Sequence, residues 1–213
     1  ANANAGPDQN LCQFDQLLLD ATPATIGTGA WTQFSGPNQA NILNPASAST
    51  QVIGFVLGTY RFVWTITNGP CTASSDTVQV VITEIPTLAI AGPDQRFCNV
   101  TSVILTGSTP TVGTGTWTKV LGNDANILSP NSPQTEVQGL TPGTYRFEWK
   151  IANGNCISKD TMQLIIDQLI LSNAGPNQSF CSNVTSTSMT GNDPSPGTGL
   201  WKKVSGPDAT IVA

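Results

Sequence analysis

Apolar and polar side chains alternate with period two in short runs along the chain. The clearest run sets Tyr145, Phe147, Trp149 and Ile151 against Arg146, Glu148 and Lys150. Such alternation predicts a strand with one face in a core and the other in solvent. The same pattern occurs earlier as Tyr60, Phe62, Trp64 and Ile66. Both runs stop at an Asn-Gly pair, Asn68-Gly69 and Asn153-Gly154, whose tolerance of positive φ suits a tight hairpin turn. The returning strands carry Val78, Val80 and Ile82, or Met162, Leu164 and Ile166. Shorter strands are expected from Leu17 to Asp20, Ala30 to Phe34, Ala40 to Leu43 and Thr50 to Ile53, separated by turns such as Ser35-Gly36-Pro37. No stretch shows a helical period. About seven short strands in a unit of this size predict an all-β fold, an antiparallel sandwich of immunoglobulin-like architecture. Trp31 and Trp64 are expected as core anchors on facing sheets.

The pattern recurs because the chain is a repeat. Ala5-Gly6-Pro7-Asp8-Gln9 returns as Ala91-Gly92-Pro93-Asp94-Gln95 and as Ala174-Gly175-Pro176-Asn177-Gln178, at periods of 86 and 83 residues. Gly-Thr-Gly precedes Trp31, Trp117 and Trp201 in the same register. The expected organisation is one tandem unit over residues 1–86, a second over 87–168, and the N-terminal half of a third over 169–213. A half unit seldom buries enough surface to fold alone, which leads to the expectation of a piece of a longer array. Leu88 and Ile90, like Leu169 and Leu171, alternate as if they already belong to the following unit. That leaves little free linker and predicts a semi-rigid string of domains.

Composition narrows the chemistry. The 213 residues include 8 Lys and Arg, 13 Asp and Glu and no His, for a net charge of -5. Without His there is no Ser-His or Cys-His nucleophile pair and no His-ligated zinc. A basic footprint for nucleic acid is missing, and no apolar run reaches membrane-spanning length. The chain is therefore expected to be no enzyme, to need no cofactor, to bind no nucleic acid and to insert no membrane span in this segment. Gly-Thr-Gly lacks the Lys and following helix of a phosphate cradle and reads as a turn. Carboxylates recur at Asp8 with Asp94 and at Asp76 with Asp160. Without a D-x-D run they suit turns better than calcium at a junction. Arg61 and Arg146 read as solvated strand residues rather than a ligand site.

The five cysteines fall on the repeat. By position Cys12 is matched with Cys71 and Cys98 with Cys156, while Cys181 opens a pair whose second half lies outside the sequence. Disulfides within each unit, tying the incoming segment to the tip of the late hairpin, are the expectation, with free buried thiols as the alternative. Disulfides imply an oxidising compartment.

Together the Ala-Gly-Pro-Asp-Gln opening, the Trp-Thr segment and the Gly-Thr-Tyr-x-Phe-x-Trp strand leading to Asp-Thr-Val resemble PKD-like, immunoglobulin-like repeats. The Cys-bearing version is similar to tandem repeats of large Bacteroidota cell-surface adhesins, including those of gliding motility. The resemblance implies an extracellular stalk or filament segment at the cell surface. Its partners would be neighbouring repeats of the same chain, surface glycans or other adhesin chains. It also implies O-glycosylation in the Asp-Thr-hydrophobic triplets, at Thr77 and Thr161. The competing reading is a carbohydrate-binding accessory module of a secreted hydrolase.

Overall fold

A computed structural model describes residues 2–13 and 16–212. The first unit is built from β1 (Gln9–Cys12), β2 (Leu17–Asp20), β3 (Thr28–Ser35), β4 (Asn41–Ile42), β5 (Ser49–Ile53), β6 (Gly58–Thr67) and β7 (Ser74–Thr83). The second repeats it as β8 (Gln95–Cys98), β9 (Ser102–Thr106), β10 (Thr114–Leu121), β11 (Asn126–Ile127), β12 (Gln134–Gln138), β13 (Gly143–Asn153) and β14 (Cys156–Asp167). Each unit is a two-sheet sandwich of immunoglobulin type. In the first, a sheet ordered β1-β7-β6-β3 faces one ordered β2-β5-β4, and the second unit has the same order. Strand neighbours are antiparallel except β1 beside β7 and β8 beside β14, which run parallel.

Alternation along β6 and β13 puts Tyr60, Phe62, Trp64 and Ile66, or Tyr145, Phe147, Trp149 and Ile151, into two separate cores. One expectation is corrected here. Trp31 and Trp64 do not face each other from opposite sheets, because β3 pairs with β6 and puts them directly opposite on neighbouring strands of one sheet. Their rings lie 5.2 Å apart and tilted, as do Trp117 and Trp149 at 5.0 Å. The link between sheets comes from the indole of Trp31, whose Nε1 donates to the Ala48 carbonyl at 3.0 Å just ahead of β5. Trp117 does the same to Pro133 at 3.1 Å. Gly-Thr-Gly owes its second glycine to this arrangement. A Cβ at Gly29 or Gly115 would fall inside the ring of Trp64 or Trp149. Tyr60 and Tyr145 accept at their hydroxyls from the amides of Val56 and Thr141, 2.7 and 2.9 Å away and four residues upstream. This is the corner that fixes the start of such a strand in immunoglobulin-like sandwiches.

Among the described residues 168–212 carry no strand and are almost wholly exposed. They nevertheless keep local bonds of the other units. Gly175 N donates to Asn173 Oδ1 at 2.8 Å as Gly6 N does to Asn4 Oδ1 at 2.9 Å. Gln178 Nε2 donates to Ser188 O at 3.0 Å as Gln9 Nε2 does to Leu18 O at 2.8 Å.

Candidate functional site

The recurring Asp, Ser and Cys residues converge on the two ends of each sandwich. The segment entering the first unit runs beside β7 before it joins as β1. Ser74 Oγ accepts from Ala3 N at 2.9 Å, Asp76 Oδ2 from Ala5 N at 2.8 Å, and Asp8 Oδ1 from Gln79 N at 2.8 Å. Ser158, Asp160 and Asp94 hold Ala89, Ala91 and Gln163 in the same way, at 2.9, 2.8 and 2.7 Å. The expectation that Asp8 and Asp94 bond the amides of their own turns is corrected, since each accepts from a distant strand amide, Gln79 N or Gln163 N. They reach a strand about 70 residues away, and the Asp of each Asp-Thr-hydrophobic triplet is the clamp on the incoming chain.

Parallel pairing carries the incoming strand to the far end of the sheet. Cys12 comes to lie opposite Thr83, the last residue of β7, and Cys98 opposite Asp167, the last of β14. Cys71 precedes β7, and Cys156 is the first residue of β14. A strand of ten residues or more therefore separates the two cysteines of one unit, roughly 30 Å at about 3.3 Å per residue. A disulfide requires Cα atoms within about 7 Å. The expected pairs Cys12 with Cys71 and Cys98 with Cys156 are corrected on this ground. The disulfide joins Cys12 to Cys156, across units, with Cα atoms 5.7 Å apart at a sequence separation of 144. Cys71, Cys98 and Cys181 are exposed free thiols.

Around this bond the hairpin tip of the second unit stands against the foot of the first. Asn153 Nδ2 donates to the Glu84 carbonyl at 2.9 Å, immediately after β7, and Gly154 lies beside the Thr83 side chain. The short connection is bonded along its length. Thr87 N donates to Val112 O at 3.1 Å, and Thr87 Oγ1 accepts from the amides of Thr111 and Val112, both at 2.9 Å. Ser108 Oγ, 3.0 Å from Ile90 N, donates to Leu88 O at 2.9 Å. The connection does belong to the second unit, but its alternation is inverted. Ala89 and Ala91, whose amides are held by Ser158 and Asp160, are buried in the second core, whereas Leu88 and Ile90 are exposed.

One ion pair marks the foot of the second unit. Arg96 Nε and Nη2 donate to the Asp167 carboxylate at 2.6 and 2.9 Å. The hydrogen bond from Arg96 holds the Asp167 carboxyl below the usual carboxylate range; desolvation opposes it, and the Arg96 charge adds a lesser lowering.

The remaining candidates are dispersed. Thr77 and Thr161 point outward and are exposed on β7 and β14. Arg61 and Arg146 are exposed on the outer face. Four tryptophans are buried, but Trp201 is half-exposed. Phe34, which the sequence reading passed over, is 72 % exposed on the edge strand β3. Its counterpart in the second unit is Val120, so no aromatic site repeats there. Among the described residues no three His, Cys, Asp or Glu side chains gather in a metal-binding group, and no helix is long and apolar enough to cross a membrane.

Comparison with known proteins fits this architecture. Residues 5–82 match the family described as K319L-like, PKD domain. The dyslexia-associated protein KIAA0319-like protein of Mus musculus is 28% identical over 168 residues, covering 71% of this chain. The chain spans 16% of the length of that relative. Among solved structures, murine CEACAM1b superposes with a TM-score of 0.50 at 14% identity, covering 79% of this chain and 100% of that one. Extracellular domains 3–5 of Drosophila OTK give a TM-score of 0.50 at 14% identity, covering 76% of this chain and 59% of that one. These two show the fold alone. The chain thus has the immunoglobulin-like sandwich fold, and residues 5–82 are similar to a PKD domain.

Proposed function

We propose that this chain is a non-enzymatic spacer segment of a secreted cell-surface protein, a stalk of stacked PKD-type units with covalently locked junctions. The observation that supports it most is the Cys12–Cys156 bond between successive units, set beside a connection hydrogen-bonded to the second unit. A disulfide of this kind persists in an oxidising, extracellular setting. Locking a junction resists bending, which matters for a part that spans distance.

The narrower reading, an adhesin repeat of the Bacteroidota gliding type, rests on the Cys-bearing motifs, and Thr77 and Thr161 are accessible as its O-glycosylation sites. Its contacts would be neighbouring repeats, surface glycans or other chains. The carbohydrate-module alternative calls for a repeated surface aromatic, whereas Trp31, Trp64, Trp117 and Trp149 are all buried. A glycan array on which the chain binds one defined sugar would favour that alternative.

Small-angle scattering tests the spacer reading. Two sandwiches of about 35–45 Å placed end to end give an elongated particle, unchanged in shape between low and moderate ionic strength. A compact globule with a radius of gyration near 17 Å, the value for one folded domain of this length, contradicts it.

A further inference from the structure

We infer that Cys12–Cys156 is one rung of a ladder in which the strand-end cysteine of each unit joins the hairpin cysteine of the unit after it. Cys98 and Cys71 are then the half-rungs that this chain offers to units of its own kind. The inference rests on the stacked-unit reading above and extends it to the two outer ends.

Cys98 occupies the place of Cys12. Each is the last residue of a four-residue strand and lies opposite the last residue of the parallel neighbour, Asp167 or Thr83. Cys71 occupies the place of Cys156, third after the Asn of the Asn-Gly turn. What differs is the neighbour. The hairpin bearing Cys156 is paired to its tip, through Ala152 with Ile157 and Asn153 with Cys156, and Cys156 is only 2% exposed. In the first unit pairing stops at Ile66 with Ser74, and Cys71 is exposed. The tip is closed where the foot of another unit stands against it and open where none does.

The foot of the second unit identifies the occupant for Cys98. The segment that leaves it already makes the contacts with which a unit begins. Asn192 N donates to Asn173 O at 3.0 Å as Ser108 N does to Ile90 O at 2.8 Å. Asn192 Nδ2 donates to Leu171 O at 3.0 Å as Ser108 Oγ does to Leu88 O at 2.9 Å. A unit started by residues 169–213 would place its own hairpin cysteine at Cys98, and Cys181 would become its strand-end cysteine, after the Gln178 that matches Gln9 and Gln95. For Cys71 the partner is the strand-end cysteine of a unit stacked ahead of the first. Each rung forms by thiol–disulfide exchange with a disulfide oxidant such as oxidised glutathione. One thiolate attacks and releases reduced glutathione. The second thiolate then displaces another, so that two protein thiols are oxidised while one glutathione disulfide is reduced to two thiols.

The test completes the third unit with the chain's own sequence, appending residues 130–168 after Ala213 and refolding in a glutathione buffer. Non-reducing peptide mapping is expected to link Cys98 to the appended cysteine, keep Cys12–Cys156, and leave Cys71 and Cys181 open to alkylation. Any other partner for Cys98, or alkylation of both Cys98 and the appended cysteine, overturns the ladder. Should the longer chain not fold, the original chain carrying Cys181→Ser is oxidised at high concentration. Head-to-tail oligomers linked Cys71 to Cys98 are expected, and either Cys71→Ser or Cys98→Ser abolishes them. Only monomers, or links between like cysteines that survive one of these substitutions, overturn it. The first arm reads a unit of the same chain and the second a separate copy. Loss of the ladder with Cys12–Cys156 and an elongated shape intact leaves the spacer reading standing. Loss of Cys12–Cys156 removes both.

Discussion

Gly115 shows how much of a unit depends on one absent side chain. The ring of Trp149 lies over the Gly115 backbone where a Cβ would otherwise sit, and the same is true of Gly29 and Trp64. Gly115→Ala must push the largest core side chain of the second unit off its position. Overpacking of this kind costs about 1–3 kcal/mol, so the second unit should lose that much stability in urea titration while the first unit keeps its own transition. Charge acts at this scale too, at Arg96 and Asp167. Because the folded Asp167 carboxyl is held low by Arg96, the pair contributes stability above the unfolded carboxylate value of about 3.9. That contribution disappears as pH falls through the lower folded value. In Arg96→Ala, NMR titration of Asp167 should move its midpoint up toward the unfolded value. An unchanged midpoint would show that the ion pair is not formed in solution.

At the scale of elements, the decisive feature is that β1 and β8 run parallel to β7 and β14. Parallel pairing sends each strand-end cysteine to the pole opposite the hairpin of its own unit, where the next hairpin arrives. Removing the bond with Cys156→Ser releases a loop of 144 residues. The chain-entropy argument puts the effect near 5 kcal/mol for a fully unfolded chain, and the measured loss should be smaller if the units unfold one at a time. The expected signature is a destabilised junction, seen as faster amide exchange at the tip around Asn153 and Gly154 and at Thr83, with the cores little changed. Uniform loss across both cores would contradict a bond confined to the junction.

The same element explains what could be read from the sequence. Period-two alternation located the long hairpin strands β6, β7, β13 and β14 and the inward side of Tyr145, Phe147 and Trp149, because burial on one face leaves a direct mark on residue choice, whereas the short β1 and β8, with no fully buried residue, left none. Repeat register showed that Cys12 is equivalent to Cys98 and Cys71 to Cys156. Equivalence does not say which unit supplies the partner, and only strand direction decides that. That direction is set by bonds that only the fold reveals: Ala3 and Ala5 donate to Ser74 and Asp76 at the start of β7, and Asp8 accepts from Gln79 further along it. The facing-sheet placement of Trp31 and Trp64 failed for a related reason: alternation assigns a face and is silent on the neighbouring strand. Along the connection, alternation marks a segment of the second unit without saying which set faces inward: Ala89 and Ala91 are buried, and Leu88 and Ile90 are exposed.

At the scale of the whole molecule, two cores are joined by a bonded connection and a covalent bridge, and a third segment begins with the same local contacts. In the proposed spacer, cross-unit linkage holds the row of sandwiches together, and the proposed ladder assigns Cys71 and Cys98 to further units of the same kind. The account therefore stands or falls on one pairing. Alkylation of the oxidised chain followed by non-reducing peptide mapping should recover a Cys12–Cys156 cross-link, with Cys71, Cys98 and Cys181 all alkylated. Recovery of Cys12 linked to Cys71 together with Cys98 linked to Cys156 would contradict it.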